Sequence, residues 1–312
     1  MSLRAGFSGG LDILRQNATI IDMEIRFSEN AVVFGGIDCF DIEKSCSCGQ
    51  AFRWRPFRGG QLGIVRGEPV LLTQEGGDIT VLGASPASAA MWAHYLDIGR
   101  DYAAIERSVC SDPRLACCFP EAHGIRVFNQ EPFEALISFI ISQNNNIKRI
   151  AGIVERLCAK CGEPVSFMGE TLYAFPEPER IAALTVEELT ALGTGYRAPF
   201  IKAAAERIAA GYELEPLRDM SLTEARAELL TFLGVGPKVA DCVLLFSLQH
   251  TDAFPVDVWI DRAMKAMFFE GNRAKKAELY EAVDALGEYS GIIQQYIFQH
   301  ARKLGKEKLE GK

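Results

Sequence analysis

The hydrophobic period of this chain changes at Ser85, and that change limits the folds open to it more than any other feature. Between residues 31 and 83 the apolar residues fall in short runs rich in Val, Ile and Phe: "AVVFGG", "CFDIE", "AFRWRPF", "QLGIVRG", "PVLLTQ" and "DITVLG". The tripeptides "RGG" and "EGG" separate some of them, and glycine supplies the positive φ that tight hairpins need. This stretch predicts an antiparallel sheet. At "SPASAAMWAHYLDI" the spacing turns helical, with Ser85 as N-cap and Pro86 at the first helical position. From Glu131 onward nearly every segment carries apolar residues three and four apart, from "EPFEALISFIISQ" through "APFIKAAAERIAAGY" to "IIQQYIFQHARKLG". Ser221 and Glu224 form a capping box at the start of one of these helices. The expected class is α+β: an N-terminal extension (1–30), a small antiparallel β domain with flanking helices (31–124), and a larger all-helical domain (125–312).

A chain of 312 residues suits one large domain or two smaller ones. No apolar run reaches the roughly 18 residues of a membrane span, and the N-terminus lacks the basic-then-apolar pattern of a secretory signal. With nine cysteines and no export signal, the expectation is reduced thiols inside the cell: cytoplasmic in a bacterium, nuclear in a eukaryote. The close pairs Cys46–Cys48 and Cys158–Cys161 leave a metal site open beside the plainer thiol reading. A net charge of −8 counts against nucleic acid on average, although a local basic cleft can coexist with it.

Within the helical part, "AELLTFLGVGPKVADCVLLF" reads as two helices joined by a hairpin, over about residues 224–247. Gly234 and Gly236 end the first helix and let another backbone come close. Pro237 pre-sets the first turn of the second, whose free N–H groups and positive dipole end suit a phosphate. A tight structural turn and a phosphate site both fit these residues. Lys238 narrows the choice. A helix start faces an ammonium with the wrong end of the dipole, and apolar neighbours add burial, so both favour the uncharged, nucleophilic amine. Asp257, nineteen residues on in "AFPVDVWIDRAM", can be an N-cap, a stabiliser of developing positive charge, or both.

"GVGPKVADC" followed by "PVD" resembles the helix–hairpin–helix DNA glycosylases, and most closely the 8-oxoguanine DNA glycosylase/lyases. The resemblance extends to "CGQAFRWR" (Cys48 to Arg55), "FIISQNNNIKRIAGIVERLC" (Phe139 to Cys158), "LGTGYRAPF" (Leu192 to Phe200) and "GIIQQYIF" (Gly291 to Phe298). These segments run in family order over roughly Ala31 to Arg302, nearly the whole chain.

The resemblance implies a base-excision-repair enzyme acting on double-stranded DNA that contains 8-oxoguanine, preferably opposite cytosine. Lys238 matches the nucleophile that attacks C1′, forms a Schiff base and permits β-elimination. Asp257 matches the carboxylate that stabilises the oxocarbenium-like sugar. Gly49 matches the residue whose carbonyl accepts from the lesion's N7–H, Gln294 the reader of the Watson–Crick edge, and Phe298 and Cys242 the two residues that hold the base faces. Asn144 matches the residue that fills the gap in the duplex, Tyr196 the wedge beside it, and Arg149 and Arg197 the readers of the cytosine left behind. Gly234 and Gly236 belong to the DNA-gripping hairpin. Backbone carbonyls of Leu230, Phe232 and Val235 match a monovalent-cation site; no side-chain metal, no required cofactor and no membrane partner is implied, and a monomer is expected. One departure is Trp259, where eukaryotic members usually carry histidine. The phosphate contact of that histidine is lost here or passes to the indole N–H.

Rival readings are weaker. The endonuclease III and adenine glycosylase branch usually carries four C-terminal cysteines for an iron–sulfur cluster, and no cysteine follows Cys242. An alkylation-repair glycosylase typically lacks the hairpin lysine. A module that only grips DNA needs neither Lys238 nor Asp257.

Overall fold

The computed structural model describes residues 24–269 and 274–309, so residues 1–23 of the expected extension lie outside the described residues. Six antiparallel strands form one sheet in the order β1 (Glu24–Ser28), β2 (Ala31–Gly35), β6 (Asp78–Leu82), β5 (Glu68–Glu75), β4 (Gly60–Val65) and β3 (Arg55–Phe57). Beside it lie α1 (Ile42–Ser47), α2 (Ala89–Tyr95), α3 (Tyr102–Ser111) and α4 (Phe119–Ala122). The helical part follows with α5 (Pro132–Ser142), α6 (Ile147–Cys161), α7 (Pro178–Ala182), α8 (Val186–Leu189) and α9 (Ala198–Ala209). It ends with α10 (Leu222–Leu229), α11 (Pro237–Ser247), α12 (Val258–Phe268), α13 (Lys276–Asp284) and α14 (Ser290–Leu309).

Alternation sets the two faces of the sheet. Val32, Phe34, Leu72, Ile79 and Val81 point to one side, where they bury against Trp92, Tyr95 and Phe128. Leu62, Ile64 and Leu71 point to the other. There the structure corrects the sequence reading: a hairpin of β7 (Pro164–Phe167) and β8 (Glu170–Tyr173), inside the stretch expected to be wholly helical, covers this face with Leu172, Val165 and Phe167. Strands of four residues are too short to print a period, and the need to cover the sheet's second face supplies their reason.

Two further corrections concern boundaries. Strand β1 lies inside the expected extension and pairs along its whole length with β2. "CFDIE", expected as a strand, is the start of α1, because the Asp41 side chain accepts from Lys44 N–H at 2.9 Å and caps a helix there. Ser85 is an N-cap with Pro86 in the first turn after it, and the capping box of Ser221 and Glu224 is formed, both as expected. No helix among the described residues is long and apolar enough to cross a membrane.

The two parts are stitched by buried polar groups. The Gln50 amide, fully buried, donates to the carbonyls of Ser45 (2.8 Å) and Arg126 (2.7 Å) and accepts from Phe128 N–H (2.8 Å). Gln130 donates to the Gln50 carbonyl at 2.8 Å, while its own N–H reaches the Phe246 carbonyl of α11. The loop bearing Gly49 is thereby tied to the interdomain segment and, through it, to α11.

Candidate active site

Between α10 and α11 the chain turns at Gly234, whose φ is +77° and whose added Cβ would lie 2.3 Å from the Phe200 ring. Glycine is required there on both counts. Gly236 caps α11 with ordinary extended backbone, and a Cβ on it would meet nothing within 4 Å, so this side of the hairpin is open. Arg226 of α10 donates to Asp241 of α11 at 2.6 Å and braces the two helices together. Burial pushes the Asp241 carboxyl up to about 6, against the pull of that arginine. The Phe232 carbonyl accepts from Val235 N–H at 3.0 Å; those of Leu230 and Val235 have no backbone partner among the described residues, and such carbonyls suit a monovalent cation.

Lys238 is half-buried in the first turn of α11. Its Nζ donates to Ser142 Oγ at 3.2 Å and stands 5.4 Å from the centroid of the Phe139 ring. Both partners lie on the last turn of α5. The amine thus sits between the positive end of one helix and the negative end of another, and the helix-start argument covers only half of its surroundings. Cys242, one turn along α11, is buried, and burial pushes its thiol up to about 11 while Lys238 pulls the other way and Asp257 adds a small push upward. Lys238 and Asp257 therefore both act on the Cys242 thiol, in opposite directions. Asp257 caps α12: its Oδ1 accepts from Trp259 N–H (2.9 Å) and Ile260 N–H (2.8 Å), and its Oδ2 has no partner among the described residues. One oxygen is structural and the other is available.

Gly49 adopts φ +94°, and a Cβ there would lie 2.7 Å from Ile147 Cδ1 and 3.7 Å from Phe298 Cε1. This brings the Gly49 and Phe298 positions side by side. No donor among the described residues reaches the Gly49 carbonyl. Gln294 is buried, donating to the Pro255 carbonyl at 2.9 Å and accepting from Gln295 at 2.9 Å. Each end of its amide keeps one valence, a second proton on nitrogen and a second lone pair on oxygen.

The "NNN" stretch divides its work. Asn145 donates to the Ile141 carbonyl at the end of α5, and Asn146 caps α6 by accepting from Arg149 N–H. Asn144 precedes them at φ +47°, exposed, with no side-chain partner among the described residues. Arg149 is likewise exposed and its guanidinium is free among the described residues. Arg197 is different: it is 4% exposed, and its guanidinium donates to the carbonyls of Gln143, Asn144 (3.2 Å) and Thr194 (3.1 Å). The two arginines that the sequence pairs in one role have different surroundings here. Tyr196, 57% exposed, packs edge-on against Phe200 and lies under the Arg197 guanidinium. Trp259 is half-buried, and its indole N–H has no partner among the described residues.

Sequence reasoning missed Ser142, Ile147 and Gln50, although all three fall inside the segments that carry the resemblance. A buried serine at a helix end gives no signal of what it faces. All nine cysteines are free thiols, Cys46, Cys48 and Cys158 among them buried. One group of side chains among the described residues could hold a metal ion: Cys39, Glu106 and His123, with donor atoms within 4.8 Å of one another. Their surroundings oppose it. Glu106 is already filled by Gly124 N–H (2.9 Å), His123 Nδ1 (2.9 Å) and the Tyr296 hydroxyl (3.3 Å), and burial pushes the Cys39 thiol up to about 12.

Comparison with known proteins gives the family. Residues 137–288 match the family described as HhH-GPD superfamily base excision DNA repair protein, and residues 35–136 match the 8-oxoguanine DNA glycosylase N-terminal domain. The chain is 30% identical to a probable N-glycosylase/DNA lyase of Methanothermobacter thermautotrophicus, over 85% of this chain and 95% of that one. It is 34% identical to an N-glycosylase/DNA lyase of Arabidopsis thaliana, over 80% and 74% of the two chains. A solved structure of the Clostridium acetobutylicum 8-oxoguanine glycosylase/lyase, bound to DNA with cytosine opposite 8-oxoguanine, superposes with a TM-score of 0.86 at 33% identity. That match covers 91% of this chain and 99% of the other.

Proposed function

The chain belongs to the HhH-GPD superfamily of base excision DNA repair proteins, and from that membership we propose that it excises 8-oxoguanine and then cleaves the strand at the abasic site. The observation that carries this reading is the setting of Lys238, half-buried in the first turn of α11 with its Nζ on Ser142 Oγ, beside a hairpin whose open side suits a phosphate. A base inside a duplex is out of reach, so the lesion must first leave the stack. The Lys238 lone pair then bonds to C1′ as the glycosidic electron pair departs with the base, and the proton shed by nitrogen balances the leaving anion. Positive charge that develops on the sugar falls near the free Oδ2 of Asp257. Ring opening converts the adduct to an imine, and loss of a C2′ proton expels the 3′ phosphate.

Recognition follows from the same geometry. The Gly49 carbonyl accepts from N7–H of 8-oxoguanine and meets a lone pair in guanine, a difference of about 1–3 kcal/mol for a buried polar group. Gln294 reads the base edge with its two remaining valences, and Phe298 and Cys242 flank the rings. Opposite the lesion, Arg149 is free to donate to cytosine. Arg197 reaches the base only by giving up loop carbonyls, so Arg149 carries the larger share. Asn144 and Tyr196 enter the gap, the Trp259 indole N–H replaces the usual histidine at a phosphate, and carbonyls of Leu230, Phe232 and Val235 hold a monovalent cation against the hairpin. The protein acts inside the cell as a monomer.

The test is borohydride trapping. Reaction with an 8-oxoguanine·cytosine duplex should yield a protein–DNA adduct, and Lys238→Gln should lose both adduct and strand scission while still binding the duplex. An adduct that persists in Lys238→Gln would move the nucleophile to another residue.

A further inference from the structure

We propose that Ser142 is a positioning residue for the Lys238 amine, keeping its lone pair turned toward the sugar. This inference rests on the lysine reading above. A serine hydroxyl has one proton to donate and two lone pairs. Here the proton is committed, because Ser142 Oγ donates to the Phe139 carbonyl at 2.7 Å. Toward Lys238, 3.2 Å away, the oxygen can only accept. That polarity matters for chemistry. An ammonium and a neutral amine both have N–H bonds to give, so the contact survives loss of the proton. A hydroxyl free to turn could instead donate to the neutral amine and occupy the lone pair that must attack. The Phe139 carbonyl prevents that turn.

The surroundings hold the anchor still. Ser142 is 9% exposed, leaving water little access to replace it. The Phe139 ring beside Nζ is fixed by stacking on Phe246 (5.3 Å, 19°) and by an edge contact with Phe52 (5.7 Å). A lysine chain with several rotatable bonds is thereby restrained near its tip, which is what an in-line attack requires. Ser142 also immediately precedes Gln143, whose carbonyl Arg197 grips, and Asn144. The end of α5 thus links the gap-filling residue to the nucleophile.

The experiment compares Ser142→Ala, Ser142→Thr and Lys238→Gln under single-turnover conditions with enzyme in excess. Base excision is followed on an 8-oxoguanine·cytosine duplex, and borohydride trapping on a duplex with a preformed abasic site. Ser142→Ala should slow both by about tenfold, the scale of a modest misalignment, with duplex affinity and melting temperature unchanged. Ser142→Thr, which keeps the hydroxyl, should restore most of the rate. Wild-type rates in Ser142→Ala, a Ser142→Thr variant as slow as Ser142→Ala, or weakened duplex binding in Ser142→Ala would each overturn the proposal. Lys238→Gln separates the two levels: trapping that persists there sinks the lysine reading itself, whereas its loss beside an unaffected Ser142→Ala sinks only the role of Ser142.

Discussion

Beside the proposed base pocket, Gln50 and Gln294 are buried amides with both ends hydrogen-bonded inside the protein. Along the rim, Asn144 and Arg149 are exposed side chains with no partner among the described residues. On the proposed reading the pocket has to distinguish bases that differ at two adjacent ring positions, and discrimination of that kind needs groups that do not yield. The rim meets a partner that arrives from solution. On that reading its donors exchange water for DNA at small cost, because nothing internal has to be broken. Arg197 marks the boundary between the two: it faces the rim in sequence and behaves like the pocket in structure.

The largest effect should come from Asp257. Asparagine caps a helix about as well as aspartate, so Asp257→Asn should lower single-turnover excision by about 100-fold or more with little change in melting temperature. Near-normal turnover would reduce Asp257 to a cap and remove chemistry from the held side of the site.

Gln50→Ala comes next. It strips partners from buried carbonyls and from the Phe128 N–H, and should destabilise the protein by about 2 kcal/mol in denaturant unfolding. A variant as stable as the parent would break the contrast drawn here, since the pocket side would then tolerate loss as the rim does.

Arg149→Ala tests the rim from the other direction. Unfolding should be unchanged, while the preference for cytosine over adenine opposite the lesion falls by about 1–2 kcal/mol in relative kcat/KM. Arg197→Ala should instead lower stability by freeing the Gln143–Asn144 turn. If the two variants gave the same profile, the distinction between a held and a free arginine would fail.

The smallest effect concerns pH. The Asp241 carboxyl, raised by burial to about 6 from 3.8, keeps its proton in the folded state where the unfolded chain has released it. Its contribution to stability is therefore full below about pH 4, declines as pH rises toward about 6, and is constant above. Asp241→Asn should flatten that decline, a change on the order of 1 kcal/mol, read from urea unfolding at pH 4 and pH 7. An identical slope in the variant would mean that Arg226 keeps the carboxylate charged throughout.

By itself the sequence determined the order of sheet then helices, the hairpin at Gly234–Gly236, and the identity of Lys238 and Asp257 as the residues to watch. Each of these is written in near neighbours: a period, a cap, a turn, or a motif of adjacent residues. Tertiary structure decided the rest. It made "CFDIE" a helix start, called up β7 and β8 to cover a sheet face, buried Arg197, and set Ser142 against Lys238. The physical reason is sequence separation. Gln50 finds its acceptor on Arg126, 76 residues away; Arg197 finds Gln143 at 54; Lys238 finds Ser142 at 96. A buried polar group must be satisfied, so burial predicts that a partner exists, but only the folded path of the chain says which carbonyl or hydroxyl it is.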